Sequence, residues 1–84
     1  MVRIFTTPDC PNCVAAKEWF RNRAVEFKEV NVKENFAATR EMIRMSGART
    51  VPVIEIGTRI VIGFNREEVE HALRAAVSDH KRQF

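Results

Sequence analysis

Val2-Arg3-Ile4-Phe5-Thr6, followed at once by Thr7-Pro8-Asp9 and then by Cys10-Pro11-Asn12-Cys13, is the stretch on which the reading of the whole chain turns. Its first five residues are mostly β-branched or aromatic and read as a short strand, which Thr7-Pro8-Asp9 ends. Pro11 suits the first turn of a helix, where a missing N–H is no loss, and good helix formers continue to about Arg23. Cys10 is therefore expected at a helix N-terminus, with Cys13 one turn along. Cys13, Ala16 and Phe20 recur at i, i+3 and i+7 with Trp19 beside them, so the second cysteine falls on the inward stripe and is predicted to be the more buried of the two.

Working outward, Val25 to Val32 is β-rich but carries Glu26, Lys28 and Glu29, which predicts a second strand at a sheet edge, parallel to the first. From about Glu34 to Ser46 a second helix is expected, with Phe36 and Ile43 sharing a face, Met42 and Met45 flanking it, and Gly47 as a left-handed stop. Pro52 to Ile56, Gly57-Thr58 and Arg59 to Ile62 read as a hairpin closed by a tight turn with glycine first. Asn65 with Glu68 three residues on resembles a capping box, and Val69, Ala72, Leu73, Ala76 and Val77 then repeat at helical spacing. The order βαβ, helix, ββ hairpin, helix predicts an α/β fold with a four-stranded mixed sheet flanked by three helices, and shows no internal repeat.

The chain has 84 residues, enough for one hydrophobic core, so residues 1–84 are read as a single domain. An apolar share of 45% with 30% charged residues is ordinary for a soluble globule, and no apolar run approaches the ~20 residues of a membrane span. The first residues form a strand rather than a secretory leader, which sets the expected address in the cytoplasm. A net charge of +3 and a pI near 9.3 are spread among acidic neighbours. Only His80-Lys81-Arg82 clusters, within a basic C-terminal tail over about 79–84, and neither a nucleic acid nor a membrane is expected as partner.

Two cysteines three positions apart make a poor staple, since closing so short a loop removes little entropy from the unfolded chain. Their placement at a strand-to-helix turn points to redox chemistry instead. Free N–H groups and the positive end of the helix dipole favour a Cys10 thiolate, and the adjacent Asp9 carboxylate works against it. Cys10 attacking a disulfide gives a mixed disulfide, which Cys13 is placed to resolve. Zinc is the other common use of such a pair, but a structural site needs four ligands, and His71 and His80 are too widely spaced and lie off the apolar stripe. No metal is expected.

Cys10-Pro11-Asn12-Cys13, Ala16-Lys17, Thr50-Val51-Pro52 and Gly63 together resemble the glutaredoxin family across nearly the whole chain. The resemblance implies the minimal thioredoxin fold and a dithiol thiol-disulfide oxidoreductase with Cys10 and Cys13 as its redox pair. It makes Pro52 a cis-proline facing the cysteines, and gives the Val51 backbone the task of pairing with a bound peptide or glutathione like an added strand. Pro11, Asn12, Gly63 and Phe64 complete the implied binding groove. No bound cofactor is implied, with glutathione as a co-substrate. The implied partners are disulfide-containing protein substrates and, as reductant, glutathione or thioredoxin reductase, the chain itself acting as a monomer.

The sequence departs from that family at three glutathione contacts. Thr7 stands where a lysine is common, Asn12 replaces the usual aromatic, and Gly63-Phe64-Asn65-Arg66 follows the last strand in place of a Gly-Gly turn with its Asp-Asp pair. Gly63-Phe64 is similar to the turn of glutaredoxin-like hydrogen donors of ribonucleotide reductase, without their flanking Trp-Ser and Pro-Asp. Asn65 reads as a helix cap or a carboxylate ligand, and Arg66 as a solvated first-turn residue or a carboxylate ligand. Phe64 reads as a hydrophobic staple to Val69 or as a contact for a partner. Two other functions stay open on sequence: an iron–sulfur carrier using Cys10, and a thiol-bearing interaction module without turnover.

Overall fold

The computed structural model describes the backbone of residues 2–82 and the side chains of residues 2–76. Strand β1 (Val2–Thr6) leads through the cysteine turn into helix α1 (Pro11–Asn22), and strand β2 (Lys28–Asn31) and helix α2 (Phe36–Ser46) follow. Strands β3 (Val53–Ile56) and β4 (Arg59–Ile62) form the hairpin, and helix α3 (Arg66–Arg82) closes the chain. The sheet order is β2-β1-β3-β4. β2 runs parallel to β1 at the edge, and β3 is antiparallel to both β1 and β4. This is the mixed four-stranded sheet with three helices that the sequence predicts.

Alternation along the strands divides the core between two faces. Val2, Ile4, Ile54, Ile56 and Val61 pack against Ala16 and Phe20 of α1 and Val69 and Ala72 of α3. Phe5 and Val53 point the other way, toward Ala38 and Met42 of α2. Arg3 braces that second face: its guanidinium bonds Glu55 directly across the ladder and Glu41 on α2. β1 thus carries apolar contacts on both sides, and the turn that follows it is anchored between the two layers.

Helix α1 stops without a glycine. The Val25 N–H donates to the Phe20 carbonyl at 2.9 Å and the Ala24 N–H to the Arg21 carbonyl at 3.1 Å, the pairing of a Schellman cap. Ala24 accordingly takes φ of 56°, a left-handed conformation that usually falls to glycine. Strand β2 is shorter than the β-rich composition of Val25 to Val32 suggested, because this cap occupies its first residues. At the end of α2, Gly47 does take φ of 72° and its N–H caps the Ile43 carbonyl at 2.7 Å.

The apolar face of α2 needs correcting. Asn35 is the N-cap, its side chain accepting the Ala38 N–H at 3.0 Å, and so Phe36 becomes the first helical residue. Phe36 is 90% exposed, whereas Ala38 and Met42 are buried and Ile43 and Met45 pack partly against them. At 3.6 residues per turn Phe36 lies about 200° around the helix from Ala38, on the opposite side. The stripe is phased by Ala38, Met42 and Met45 rather than by Phe36 and Ile43. In α3 the backbone of residues 79–82 continues the helix, while the side chains of His80, Lys81 and Arg82 lie outside the described residues.

Candidate active site

Cys10 ends the turn after β1 in an extended conformation, with φ of −106° and ψ of 107°, and serves as N-cap of α1. Its sulfur accepts the Cys13 N–H at 3.1 Å, one of the donors that the first turn of a helix leaves free. The Cys10 thiol donates in turn to the Val51 carbonyl at 3.8 Å. Cys10 is half-buried and Cys13 buried, at 1% exposure, and both are free thiols. The predicted ranking of the two holds.

Burial pushes the Cys13 thiol up to about 12, and its contact with Cys10 adds to the rise, while a backbone hydrogen bond from Thr7 and the charge of Lys17 pull the other way. Asp9, the neighbour expected to oppose a Cys10 thiolate, is engaged by the Lys33 ammonium at 3.3 Å. Both partners are well exposed, and the ion pair offsets part of the local negative charge.

The Val51–Pro52 peptide bond is cis, Pro52 is fully buried, and Val51 is half-buried beside Cys10. Gly63, with φ of 81°, donates its N–H to the Pro52 carbonyl at 2.8 Å and so ties the end of β4 to the Val51-Pro52 segment. Phe64 follows, its ring meeting Trp19 of α1 edge-on at 6.1 Å and the Arg66 guanidinium at 5.9 Å. It also packs on the core cluster to which Val69 belongs. Asn65 caps α3, its side chain accepting the Glu68 N–H at 3.2 Å, and Pro11 and Asn12 are exposed at the head of α1.

The structure therefore brings Cys10, Cys13, Val51, Pro52, Gly63 and Phe64 to one end of the sheet. The backbone bond from Thr7 to Cys13 and the pairing of Lys33 with Asp9 were not foreseen. Thr7 acts through its backbone, which leaves no side-chain signal, and Lys33 meets Asp9 only because parallel pairing returns β2 to the same end as β1. His71 is exposed, and among the described residues no three His, Cys, Asp or Glu side chains cluster as a metal site. Among the same residues no helix is long and apolar enough to cross a membrane.

Chemically, a capped, reachable thiol one turn from a buried one is suited to disulfide exchange. The Glutaredoxin family model matches residues 2–61, spanning β1 through the hairpin turn to within one residue of the end of β4. The chain belongs to the glutaredoxin family. It is 37% identical over 70 residues, 83% of this chain and 93% of the relative, to a glutaredoxin-like 8.6 kDa protein of the rubredoxin operon of Clostridium pasteurianum. Glutaredoxin 3 of Escherichia coli is 39% identical over 62 residues, covering 74% of this chain and 75% of that protein. Among solved structures, the glutaredoxin-like protein NrdH-redoxin of Escherichia coli superposes with a TM-score of 0.74 at 31% identity, over 83% of this chain and 91% of that one. Membership carries a redox role of the glutaredoxin and NrdH kind, and family members work with disulfide substrates and reductants.

Proposed function

We propose that the chain is a dithiol thiol-disulfide oxidoreductase that reduces protein disulfides or glutathione mixed disulfides through Cys10 and Cys13. The observation that carries the reading is the Cys13 N–H donating to the Cys10 sulfur at 3.1 Å while the Cys13 thiol itself is buried one turn along. Cys10 attacks a substrate disulfide, forming the mixed disulfide and releasing one substrate thiol. Cys13 then attacks the Cys10 sulfur, the intramolecular disulfide closes, and the second substrate thiol leaves. A reductant of the thiol-reducing cytoplasm restores the pair.

Val51 supports this sequence of events. Its carbonyl accepts the Cys10 thiol in the reduced protein, and deprotonation of Cys10 frees that carbonyl for a substrate backbone N–H. Gly63, bonded to the Pro52 carbonyl, and Phe64 after it are the proposed further contacts of the substrate, together with the exposed Pro11 and Asn12. NrdH-redoxin has a thioredoxin-like activity profile, whereas the relative from the same organism is a glutaredoxin. The reductant is accordingly glutathione or thioredoxin reductase.

The deciding experiment is NADPH-coupled reduction of the Cys10–Cys13 disulfide by thioredoxin reductase and, separately, by glutathione with glutathione reductase. Turnover with either supports the dithiol reading and names the reductant. Absence of turnover with both, together with no reaction of Cys10 toward a model disulfide, overturns it.

A further inference from the structure

On the face of the sheet that α1 covers, beside the cysteines, lies a polar cluster with no part in the exchange steps above. Thr6, the last residue of β1 and 1% exposed, donates its hydroxyl to Glu29 Oε2 at 2.9 Å. The same carboxylate oxygen receives Lys17 Nζ at 2.8 Å. Thr6 and Lys17 thus converge on one oxygen of Glu29, which joins the end of β1, α1 and β2 through side chains.

Lys17 stands four residues beyond Cys13 on α1, and residues so spaced share a face with their Cβ atoms about 5–6 Å apart. Helical side chains lean toward the N-terminus, which directs Lys17 back along the turn that carries Cys13. The Lys17 side chain is 20% exposed against 40% for Glu29, so water screens the carboxylate more than the ammonium. A positive charge is thereby held on the helix face that carries Cys13, where it favours the thiolate, though by less than burial opposes it.

The groups around Cys13 are few. Cys10 and Lys17 face it from α1, Thr7 from the turn through its backbone, and Glu29 of β2 acts through Lys17. Asp9 is occupied by Lys33, and Glu70 of α3 by Arg23 and Arg74. The resolving step needs Cys13 as thiolate, and burial opposes that.

We propose that Lys17, held by Glu29, which Thr6 bonds in turn, is the positioning residue for the resolving step, its ammonium stabilising the Cys13 thiolate as it attacks the Cys10 mixed disulfide. The inference rests on the dithiol reading. In the step the Cys10–Cys13 S–S bond forms and the bond from Cys10 to substrate breaks. The electron pair leaves with the substrate thiolate, and the Cys13 proton passes to that thiolate or to solvent.

Stopped-flow reaction of the reduced protein with 5,5′-dithiobis(2-nitrobenzoate) separates the two events. Attack by Cys10 releases the first chromophoric thiolate, and ring closure by Cys13 releases the second. Lys17→Gln is expected to leave the first phase unchanged, to slow the second about tenfold near neutral pH, and to displace its pH profile upward by about one unit. Lys17→Arg, which keeps the charge, should restore the second phase. Lys17→Met serves as a second charge-removing variant that keeps the apolar stem, and is expected to shift the profile in the same direction. A second-phase pH profile that superimposes on that of the unsubstituted protein in either charge-removing variant overturns the inference. Loss of the first phase in the unsubstituted protein would instead sink the dithiol reading itself, and the inference with it.

Discussion

The backbone N–H of Cys13 donates to the sulfur of Cys10 at 3.1 Å, so the residue proposed to resolve the mixed disulfide also holds the nucleophile, through its main chain. Because that donor is an amide, Cys13→Ser keeps it. The variant is expected to complete the first attack and stop at a stable mixed disulfide, visible as a substrate-mass adduct. Cys10→Ser is expected to fall to background in a disulfide-reduction assay. Full turnover by Cys10→Ser would reassign the nucleophile.

The two thiols should separate under alkylation. With the Cys13 thiol pushed up to about 12 by its burial, iodoacetamide near neutral pH is expected to add once, at Cys10, and a second time only in strongly alkaline solution. The same shift makes a statement about stability. An unfolded cysteine titrates near about 8.5, so the unfolded chain ionises first. The Cys13 contribution is complete below about 8.5 and is lost progressively as the pH climbs toward 12. Denaturant midpoints measured across that window should decline for the reduced protein and decline less for Cys13→Ala.

Acid acts through a different residue. The Lys17 ammonium holds the Glu29 carboxyl below the usual carboxylate range against the opposing cost of burial, and the Thr6 hydroxyl adds a smaller pull in the same direction as Lys17. Its stabilising contribution is present above the unfolded value of about 4.3 and disappears as the pH drops through the lower folded value. Glu29→Gln is expected to flatten that part of the acid-unfolding curve. An unchanged curve would show that the pairing contributes nothing to folding.

Ala24 is a site for stabilisation. It is exposed and takes φ of 56° in the cap of α1, where an L side chain costs about 1–2 kcal/mol and glycine does not. Glycine returns part of that through its larger unfolded-state entropy. Ala24→Gly is therefore expected to raise stability by about 0.5–1 kcal/mol, or a few degrees in Tm for a domain of this size. Equilibrium denaturation with an unchanged slope would read it cleanly.

The phase of α2 can be checked with two substitutions. Met42→Ala, at a position 1% exposed, should cost about 2–5 kcal/mol through lost burial and the cavity left behind. Phe36→Ser should change stability by no more than about 0.5 kcal/mol in either direction. A large loss at Phe36 with little at Met42 would restore the face expected from the sequence.

That pair of residues also shows where the sequence stops being legible. The order of elements followed from local signals that the fold obeys: Pro11 at the start of α1, Gly47 beyond α2, glycine first in the β3–β4 turn, and Asn65 before α3. Phe36 and Ile43 are seven apart, as are Ala38 and Met45, so periodicity alone fits more than one phase. Only the Asn35 cap and the packing on Phe5 and Val53 choose between them. The cysteines, Val51 and Pro52 were readable because their types and spacing are unusual in combination. Lys17 stood in the family pattern, but its pairing with Glu29 and, through it, with Thr6 was not readable, since an ion pair between α1 and β2 depends on register. The early stop of α1 was hidden for a related reason, because alanine gives no hint of a left-handed cap.

Trp19 is the only tryptophan in the chain, and it is wedged among Phe20 at 5.2 Å, Phe64 at 6.1 Å and the Arg23 guanidinium at 4.1 Å. All indole emission from this protein therefore originates at the junction between the cysteine-bearing helix and the Gly63-Phe64 segment. The molecule carries its own optical reporter, and a change in tryptophan fluorescence when the dithiol closes or a substrate docks reads that junction alone, with no label and no second fluorophore of its kind to subtract.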